Sequence, residues 1–443
     1  MHVIIVGGGS DGSYLAERLI AEGEDVAVIE SNPTRAAALR GRLDALVVTG
    51  NGANPGVQRQ AGADKAELLM AVSNDDGVNV LAAQTANSLG IPRTVARLEN
   101  PEVRSVVIDL GIGAVIDPRE VVARQLVRLV DRPGLSDWFQ FADGKIIVIG
   151  GIVGPDSTLI GERLEDVRAS LQGWDCVISS IVRDDLTLVG TGDTMIEVFD
   201  KVLIAVPTEN EARAGELIGL SSEKIDRVIV SGGGRVAEVT ALLMREDGKQ
   251  VILIHDREDR AQEIAERQSR FDVVVADATD PTTLSSLAVG HGDAVVALTR
   301  NDASNILTCL EAKAMGATTT IARYNRLYLF DLISTPGIDA GVSSEVAAAN
   351  EVLRFVRRGA YVSAVNFMTG DVEAVEIELQ PEAPVVGKSI GELDRPDGMI
   401  IGGVLRDGEA IVPRGATVFA AGDRVVVFAT PDATATVEKL FTV

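Results

Sequence analysis

The chain has few of the residues that build covalent or metal centres. Among its 443 residues there are two cysteines and three histidines. Cys176 and Cys309 lie in different halves and form no CxxC or other metal-ligand spacing, which argues against a disulfide framework and a zinc site. We therefore expect two reduced thiols in the core and predict no metal site.

Basic residues and long apolar runs are also scarce. The chain has 41 Lys and Arg against 65 Asp and Glu, a net charge of -24 that repels nucleic acid. Apolar runs such as 145–149 have the length of a strand, whereas a bilayer span needs roughly 18 to 20 residues. The first strand is predicted at residue 2, which leaves no room for a cleavable signal segment. These features predict a cytoplasmic protein without a nucleic-acid partner.

Glycine-rich turns are present, and the same layout occurs twice. A β-branched run enters a turn at residues 7–12, and half a chain later a second run enters a turn at residues 231–237. Gly7 maps onto Gly232 by a shift of 225 (232 − 7), and beyond one inserted residue the shift is 226. A register held over roughly 100 residues indicates duplication of a whole folding unit.

Strand-like and helical patterns alternate over the first 117 residues. This alternation predicts a parallel sheet covered on both faces, the doubly wound, Rossmann-like α/β class. A helical stretch at 119–129 then meets a turn at 131–134, after which short strands and one clear helical stretch at 209–218 predict a small α+β module. The strands of the first sheet are predicted near 2–6, 25–30, 45–49, 67–72 and 92–97, and those of the module near 145–149, 176–182 and 202–206.

The second half repeats this order, so the predicted architecture is two Rossmann-like domains, each followed by a small α+β module. The four predicted domains are residues 1–131, 132–222, 223–358 and 359–443.

Each glycine turn has the context of a dinucleotide-binding motif. In Gly-x-Gly-x-x-Gly the first glycine makes the bend, the second admits a pyrophosphate, and the third lets helix pack on strand. In the first copy these are Gly7, Gly9 and Gly12. Each turn follows a strand, opens a helix and precedes a second strand that ends about 20 residues later. Phosphates would then lie at the positive end of the helix.

The residue at the end of that second strand differs between the copies. Glu30 is placed to accept hydrogen bonds from a ribose diol, and its charge favours NAD or adenine nucleotides over NADP. The alternative is a solvated acid at a strand end. In the second copy His255 takes this place with Asp256 next to it, so the ribose contact is expected to be weaker or shifted.

Charges inside the turns also differ. Asp11 would repel phosphates unless its side chain points away or pairs with a cation, whereas Arg235 directly follows Gly234 and is expected to pair with a phosphate. The two sites are therefore predicted to prefer different ligands.

Further candidate contacts lie at the carboxyl ends of later strands, where open parallel sheets bind ligands. Each of these residues is equally well explained as a turn or cap residue. They are Asn51, Ser73, Asn74 and Arg97 in the first copy, and Asp277, Thr299, Arg300 and Arg323 in the second.

The residues around the first turn resemble the regulator-of-potassium-conductance unit, also called the RCK or KTN domain. The resemblance is carried by Gly7–Gly9 with Glu30–Asn32, by Ala61–Asp64, by Ala71–Asp76 with Asn79, and by Ala96–Arg97. The tandem arrangement over the whole chain resembles the regulatory subunits of Trk-type potassium-uptake systems.

This resemblance implies a peripheral protein on the inner face of the cell membrane, assembled as a tetrameric ring beneath a potassium-translocating Trk membrane subunit. It implies NAD(H), ATP and ADP as regulatory ligands whose binding rearranges the ring and gates transport. The contacts it implies are Gly7, Gly8, Gly9, Ser10, Asp11, Glu30, Ser73, Asn74 and Arg97 at the first site, and Gly232, Gly233, Gly234, Arg235, Val236, His255, Thr299 and Arg323 at the second.

The alternative function is an NAD-dependent oxidoreductase. Such an enzyme needs an acid or base beside the nicotinamide and a dedicated substrate domain. The histidines, His2, His255 and His291, all lie outside the small modules, which also lack a Gly-x-Ser-x-Gly motif. The sequence thus favours a regulator without catalytic activity. The helical segments 119–129 and 346–356 are predicted to carry subunit contacts, with packing on their own sheets as the alternative.

Overall fold

The structure, a computed structural model, describes residues 1–442 apart from 22, 101–106, 108–109, 156, 172, 184–185, 189, 221–222, 327–328, 330–336, 345, 348–349, 352–360 and 367–371. The chain divides into two units, one of Met1–Val122 with Ser343–Val356 and one of Ala123–Val342 with Arg357–Val443. Within the second predicted contact helix, 346–356, residues 348–349 and 352–356 lie outside the described residues, among them the apolar Val352 and Phe355.

The first Rossmann-like sheet is parallel and six-stranded, with strand order β3-β2-β1-β4-β5-β6. Its central strand β1 is buried along its whole length, because helices cover both faces. The sixth strand was absent from the sequence prediction. The strands are β1 (His2–Val6), β2 (Asp25–Glu30), β3 (Leu46–Thr49), β4 (Leu68–Ala71), β5 (Thr94–Arg97) and β6 (Ala114–Ile116), and the helices are α1 (Ser10–Ala21), α2 (Pro33–Arg40), α3 (Pro55–Gln60), α4 (Asp76–Ser88) and α5 (Pro118–Val130).

Side-chain caps fix where these helices begin. Asn32 accepts hydrogen bonds from the first turn of α2, Asn54 does so for α3 and Asp75 for α4. Each cap satisfies backbone N–H groups that have no partner within the helix. All three caps follow the carboxyl end of a strand or the loop after it, so they help to shape the edge of the sheet that carries the glycine turn.

The first small module is an antiparallel sheet with order β10-β9-β11-β8-β7. The prediction of a single helix here is wrong, because Leu164–Ser170 also forms a short helix. Strand β7 was missed because Asp137 is a buried acid beside a bulge, which hides the apolar alternation. The elements are β7 (Leu135–Phe141), β8 (Ile146–Ile152), α6 (Leu164–Ser170), β9 (Val177–Arg183), β10 (Leu186–Leu188), β11 (Lys201–Pro207) and α7 (Glu211–Leu217).

The second Rossmann-like sheet repeats the first, with order β14-β13-β12-β15-β16-β17. The prediction of two doubly wound parallel-sheet domains is confirmed. The elements are β12 (Arg227–Ser231), α8 (Arg235–Glu246), β13 (Gln250–His255), α9 (Glu258–Arg267), β14 (Asp272–Val275), α10 (Pro281–Ser286), β15 (Asp293–Ala297), α11 (Asp302–Ala314), β16 (Thr319–Tyr324) and β17 (Ala340–Ser343).

The second small module is again antiparallel, with order β18-β19-β22-β20-β21. Its sheet shares one apolar core with the first module, in which Ile146 and Ala205 pack with Ala374 and Phe428. Both predicted α+β modules are thus present. The elements are β18 (Tyr361–Asn366), β19 (Glu373–Glu378), β20 (Met399–Arg406), β21 (Glu409–Ile411), β22 (Arg424–Ala429) and α12 (Pro431–Phe441).

Among the helices that the structure describes, none has the length and apolar character of a bilayer span.

Candidate nucleotide-binding sites

The first glycine turn is held against the sheet by close backbone contacts. Gly7 has a φ of +105°, and a Cβ atom there would lie 2.8 Å from the backbone of Ser73. Its N–H donates to the carbonyl of Ile29 at 2.9 Å. A Cβ on Gly12 would lie 1.8 Å from the Gly7 carbonyl oxygen. Gly7 and Gly12 therefore serve the tight bend and the helix packing, as the motif predicts.

Gly9 is different, because a Cβ atom there would meet nothing within 4 Å. It immediately precedes α1, whose first N–H groups have no partner within the helix. An open position at the N-terminus of a 12-residue helix is where the backbone can approach a phosphate group. No packing requirement of the fold explains glycine at this position.

Glu30 shapes the turn from the end of β2. Its Oε2 accepts a hydrogen bond from the Gly8 N–H at 2.9 Å, and its Oε1 accepts one from the Asn32 N–H at 2.7 Å. The residue is only 3% exposed. Glu30 is therefore not a solvated strand-end acid. Its Oε1 also accepts from the Ser31 hydroxyl at 3.4 Å and its Oε2 from Arg35 at 3.5 Å, so a ribose hydroxyl would replace one of these two longer contacts.

Asp11 pairs with a cation, one of the two arrangements under which a carboxylate is tolerated in this turn. It forms an ion pair with Arg97, which also binds Glu99, and Glu99 in turn binds Arg119. Two acids and two arginines balance, so this network at the crevice has no net charge. Arg97 is consequently engaged with protein carboxylates, with which a ligand phosphate would compete.

A buried asparagine that was not among the predicted site residues forms the floor of the crevice. Asn79 accepts hydrogen bonds from the N–H and hydroxyl of Ser73 at 2.9 and 2.7 Å, and donates to the carbonyls of Ser73 and Arg97, both at 2.9 Å. It thereby joins the ends of β4 and β5. Its signal in the sequence was its match with Asn305, which makes the same set of bonds with Thr299 and Arg323.

The second glycine turn has the same division of roles. Gly232 has a φ of +119°, and a Cβ there would lie 2.9 Å from the Leu298 carbonyl group. A Cβ on Gly234 would meet nothing within 4 Å. Ala237 stands where the first turn has Gly12, so the second turn makes room for one methyl group. Each copy thus has one open glycine directly before its helix.

His255 packs against the second turn. A Cβ on Gly233 would lie 2.1 Å from the His255 ring, whose Nδ1 accepts a hydrogen bond from the Arg257 N–H at 2.9 Å. The neighbouring Asp256 is an exposed side chain. The ring occupies the place of Glu30 but does not bond to a turn N–H, so the two turns are supported differently.

Beneath the second turn lies an ion pair that the sequence prediction missed. Arg260 donates two 3.1 Å hydrogen bonds to the Gly233 carbonyl and pairs with Glu238, which is 4% exposed. At the first turn Ser13 takes this role and donates to the Gly8 carbonyl at 3.2 Å. Arg260 corresponds to Arg35 of the first copy by the shift of 225, and this correspondence was the signal that the sequence offered for it.

The charge at the second crevice is more positive. Arg235 is exposed at the start of α8, and among the described residues its guanidinium has no ion-pair or hydrogen-bond partner. Val236 replaces the acid Asp11, and Asn325 replaces Glu99, accepting a 3.2 Å hydrogen bond from Arg323. Two carboxylates that neutralise arginine at the first site are therefore absent from the corresponding positions of the second.

The outer candidates are turn residues as well as crevice residues. Asn51 accepts a hydrogen bond from the Ala53 N–H at 2.9 Å, and Asp277 accepts one from the Thr279 N–H at 2.8 Å. Asn74 and Arg300 are exposed in the loops after β4 and β15. The structure brings all these residues to the carboxyl edge of their sheets; contact with a ligand remains a prediction for each.

Both cysteine side chains are buried free thiols of low reactivity. Burial raises the pKa of Cys176 to about 12 and raises the pKa of Cys309 as well, so both are protonated at neutral pH. Within the described part of the chain, no cluster of three or more His, Cys, Asp or Glu side chains is arranged to hold a metal ion.

Comparisons with known proteins agree with this geometry. The TrkA-N domain family matches residues 3–118 and 228–344, and the TrkA-C domain family matches residues 152–219 and 374–442. The chain is 32% identical to the Trk system potassium uptake protein TrkA of Azorhizobium caulinodans over 453 residues, covering 100% of this chain and 99% of that protein. It is 31% identical to the protein of the same name from Halomonas elongata, covering 97% and 95% of the two chains.

A solved structure titled "GsuK channel bound to NAD" has the same fold. It matches with a TM-score of 0.62 at 18% identity, covering 99% of this chain and 78% of that one.

Proposed function

This chain belongs to the family of Trk-system potassium uptake proteins called TrkA, and from that premise we propose that it is a nucleotide-sensing regulatory subunit. Nucleotide binding at its two glycine turns changes the arrangement of an RCK ring and thereby gates a potassium-translocating membrane partner of Trk type. The domain limits 1–131, 132–222, 223–358 and 359–443 and the site residues given above are part of this proposal.

One observation carries the proposal: in both copies the glycine directly before the first helix faces open space. Gly9 and Gly234 have no atom within 4 Å of a Cβ position, whereas Gly7 and Gly232 are confined by backbone. A fold that needed only the bend would not require glycine at the open positions. Close approach of a ligand's pyrophosphate explains both.

The two sites are proposed to take different regulatory ligands. At the first, Glu30 lies beside the turn and the arginines are neutralised by Asp11 and Glu99, which suits the two phosphates of NAD(H) and a ribose diol. At the second, exposed Arg235 and the missing carboxylates suit the higher negative charge of ATP or ADP. The charge difference is the reason for two sites rather than one.

Catalysis is not part of the proposed function. His2 lies at the far end of β1 from the turn and is 2.8 Å from both Asp25 and the Ala61 carbonyl. His255 is fixed by the Arg257 N–H, and His291 pairs with Glu223 at 2.8 Å. An oxidoreductase would need a free acid or base beside the nicotinamide. The relatives above are named as potassium uptake proteins rather than enzymes.

Regulation requires that the ligand bind two states of the assembly with different affinity, because equal affinity shifts no equilibrium. We propose that the assembly is a homotetrameric ring on the cytoplasmic side of the membrane, held there by the Trk membrane subunit. Nucleotide at the carboxyl edges of the two sheets then acts on the contacts between neighbouring Rossmann-like domains.

Calorimetric titration of NADH and ATP into Arg235→Ala tests the assignment of the second site. A charge-assisted hydrogen bond is worth about 1.5–3 kcal/mol, so ATP affinity at this site is expected to fall by about tenfold or more, with NADH binding at the first site unchanged. Thermal unfolding should not change, because Arg235 is exposed and its side chain makes no hydrogen bond or ion pair with a described residue.

Arg270→Ala is the matched control, since it removes the same charge from an exposed residue whose one ion-pair partner in the described part of the chain is Glu246 at the surface. Equal losses of ATP affinity in both variants would mean that overall charge, rather than the Arg235 contact, determines binding. Consumption of NADH by the protein, instead of binding without turnover, would support the oxidoreductase alternative.

A further inference from the structure

The first small module carries an exposed aromatic residue in a backbone conformation that favours glycine. Phe199 has a φ of +69° and is 58% exposed. The other described non-glycine residues with positive φ are Ala142, Asp143, Ala288 and Asp407, all of them small or short polar side chains. Left-handed backbone at a bulky residue is unfavourable and persists only where the surroundings impose it.

A tight turn imposes this conformation. Asp200 N–H donates to the Glu197 carbonyl at 3.2 Å, which closes a four-residue turn with Phe199 in its third position. The buried Asp200 carboxylate accepts from the Glu197 N–H at 2.8 Å and from Arg183 at 2.8 and 2.7 Å. The third position of such a turn normally takes glycine.

The second module shows what the fold alone requires. Its turn has the same bonds, with Asp423 N–H donating to Ala420 and Arg406 donating to Asp423 at 2.7 and 2.6 Å. There the third position is Gly422, with a φ of +83°. Phenylalanine at position 199 is therefore unfavourable for the turn and leaves more than half of its surface exposed, so the fold itself does not explain it.

Phe199 is one member of an exposed apolar group. Met195 is 49% exposed, Val198 is 40% exposed and Ile160 is 38% exposed. The segment of Ile160 lies beside that of Met195, because Gly161 N–H donates to Ile196 at 2.8 Å. We call these four residues the Phe199 patch. Exposed apolar groups with a polar border are characteristic of protein-binding surfaces.

The border of the patch is acidic. Glu162, Asp193 and Glu197 are exposed around it. Asp193 pairs with Arg163 and Glu197 with Arg183, so the three carboxylates exceed the two arginines by one. A second copy of this chain, with its own net charge of -24, would bring like charge to this border. Cytoplasmic loops of membrane proteins, by contrast, carry an excess of Lys and Arg.

We propose that the Phe199 patch docks a basic cytoplasmic segment of the membrane subunit, with Phe199 as the apolar anchor and the acidic border as its electrostatic complement. This inference rests on the proposed regulatory function, which supplies a membrane partner. Each chain then offers one docking turn, since the equivalent turn of the second module has Ala421 and Gly422 instead of Val198 and Phe199. Aromatic anchors of this kind commonly dominate binding.

The test is Phe199→Gly, which gives the first turn the residue of the second and relieves the backbone. Binding is measured by co-sedimentation with proteoliposomes that contain the Trk membrane subunit from the same cells, with empty vesicles of the same lipids in parallel. We expect affinity to fall by about tenfold or more, with an unchanged or higher melting temperature and unchanged NADH binding. Raising the salt concentration should also weaken wild-type binding.

Met195→Ser and Val418→Ser form the matched pair, because Met195 and Val418 occupy equivalent, similarly exposed positions of the two modules. Only Met195→Ser should weaken binding. Binding of Phe199→Gly within about twofold of wild type, equal binding to empty vesicles, or a smaller assembly in sizing experiments would each overturn the docking proposal. If wild type fails to bind the proteoliposomes at all, the regulatory function itself is wrong.

Discussion

Gly9→Ala is expected to weaken nucleotide binding at the first site while leaving the protein as stable as wild type. The added methyl group meets no protein atom within 4 Å, so folding has little reason to respond. A pyrophosphate that approaches the backbone at the start of α1 would meet that methyl group directly. We expect the affinity for NADH to fall by about tenfold or more, which corresponds to at least ~1.4 kcal/mol of binding free energy.

Calorimetry and thermal unfolding on the same preparation separate the two effects. Gly7→Ala is the control, because its φ of +105° and its 2.8 Å approach to the Ser73 backbone make glycine a requirement of the fold. That variant should lower the free energy of unfolding by at least ~1–2 kcal/mol. Unchanged NADH affinity in Gly9→Ala would mean that the open position does not face the ligand.

Asn79→Ala is expected to weaken the first Rossmann-like domain and its site together. The side chain is fully buried and makes four hydrogen bonds that join the ends of β4 and β5. Truncation leaves the Ser73 N–H and two carbonyls without their partner, and each such group costs about 1–3 kcal/mol when buried. Because these groups are only partly buried, we expect a loss of about 2–4 kcal/mol and faster hydrogen exchange at residues 68–73.

Asn305→Ala should produce the same defect in the second domain and leave the exchange of residues 68–73 unchanged. Asn74→Ala, five residues from Asn79 in an exposed loop, should affect stability little. Equal melting temperatures for Asn79→Ala and Asn74→Ala would show that the buried hydrogen bonds contribute nothing measurable.

The duplicated fold could be predicted from sequence because its signals are local. The alternation of β-branched runs with helical patterns predicts parallel sheets, and glycine turns after a strand locate the two crevices. Strand β6 was missed because three residues are too few for periodicity to show. Strand β7 was missed because a buried acid interrupts the pattern.

Side-chain pairings across the sheet edge could not be predicted in the same way. Asp11 and Arg97 are 86 residues apart, and they meet only because β4 and β5 follow β1 in the sheet order. Glu238 and Arg260 meet across the turn for a similar reason. Sequence periodicity determines which face of an element is buried, but not which polar side chains converge at its end.

The duplication also gives the sequence a control that a single domain lacks. Gly422, the counterpart of Phe199, shows that this turn forms without an aromatic side chain. Val236, the counterpart of Asp11, shows that the glycine turn forms without a carboxylate there. Residues that depart from their counterpart without a structural reason are the ones to which we assign function. Phe199 and Arg235 are the two clearest cases.

The most direct test of the regulatory function is potassium flux into proteoliposomes that contain the Trk membrane subunit together with this protein. Wild type is compared with the double variant Gly9→Ala/Gly234→Ala, each with and without NADH and ATP. Nucleotides should change the flux with wild type and have no effect with the double variant, while both proteins remain bound to the vesicles. A flux that nucleotides leave unchanged with wild type, or change equally with both proteins, would contradict nucleotide-dependent gating through these turns.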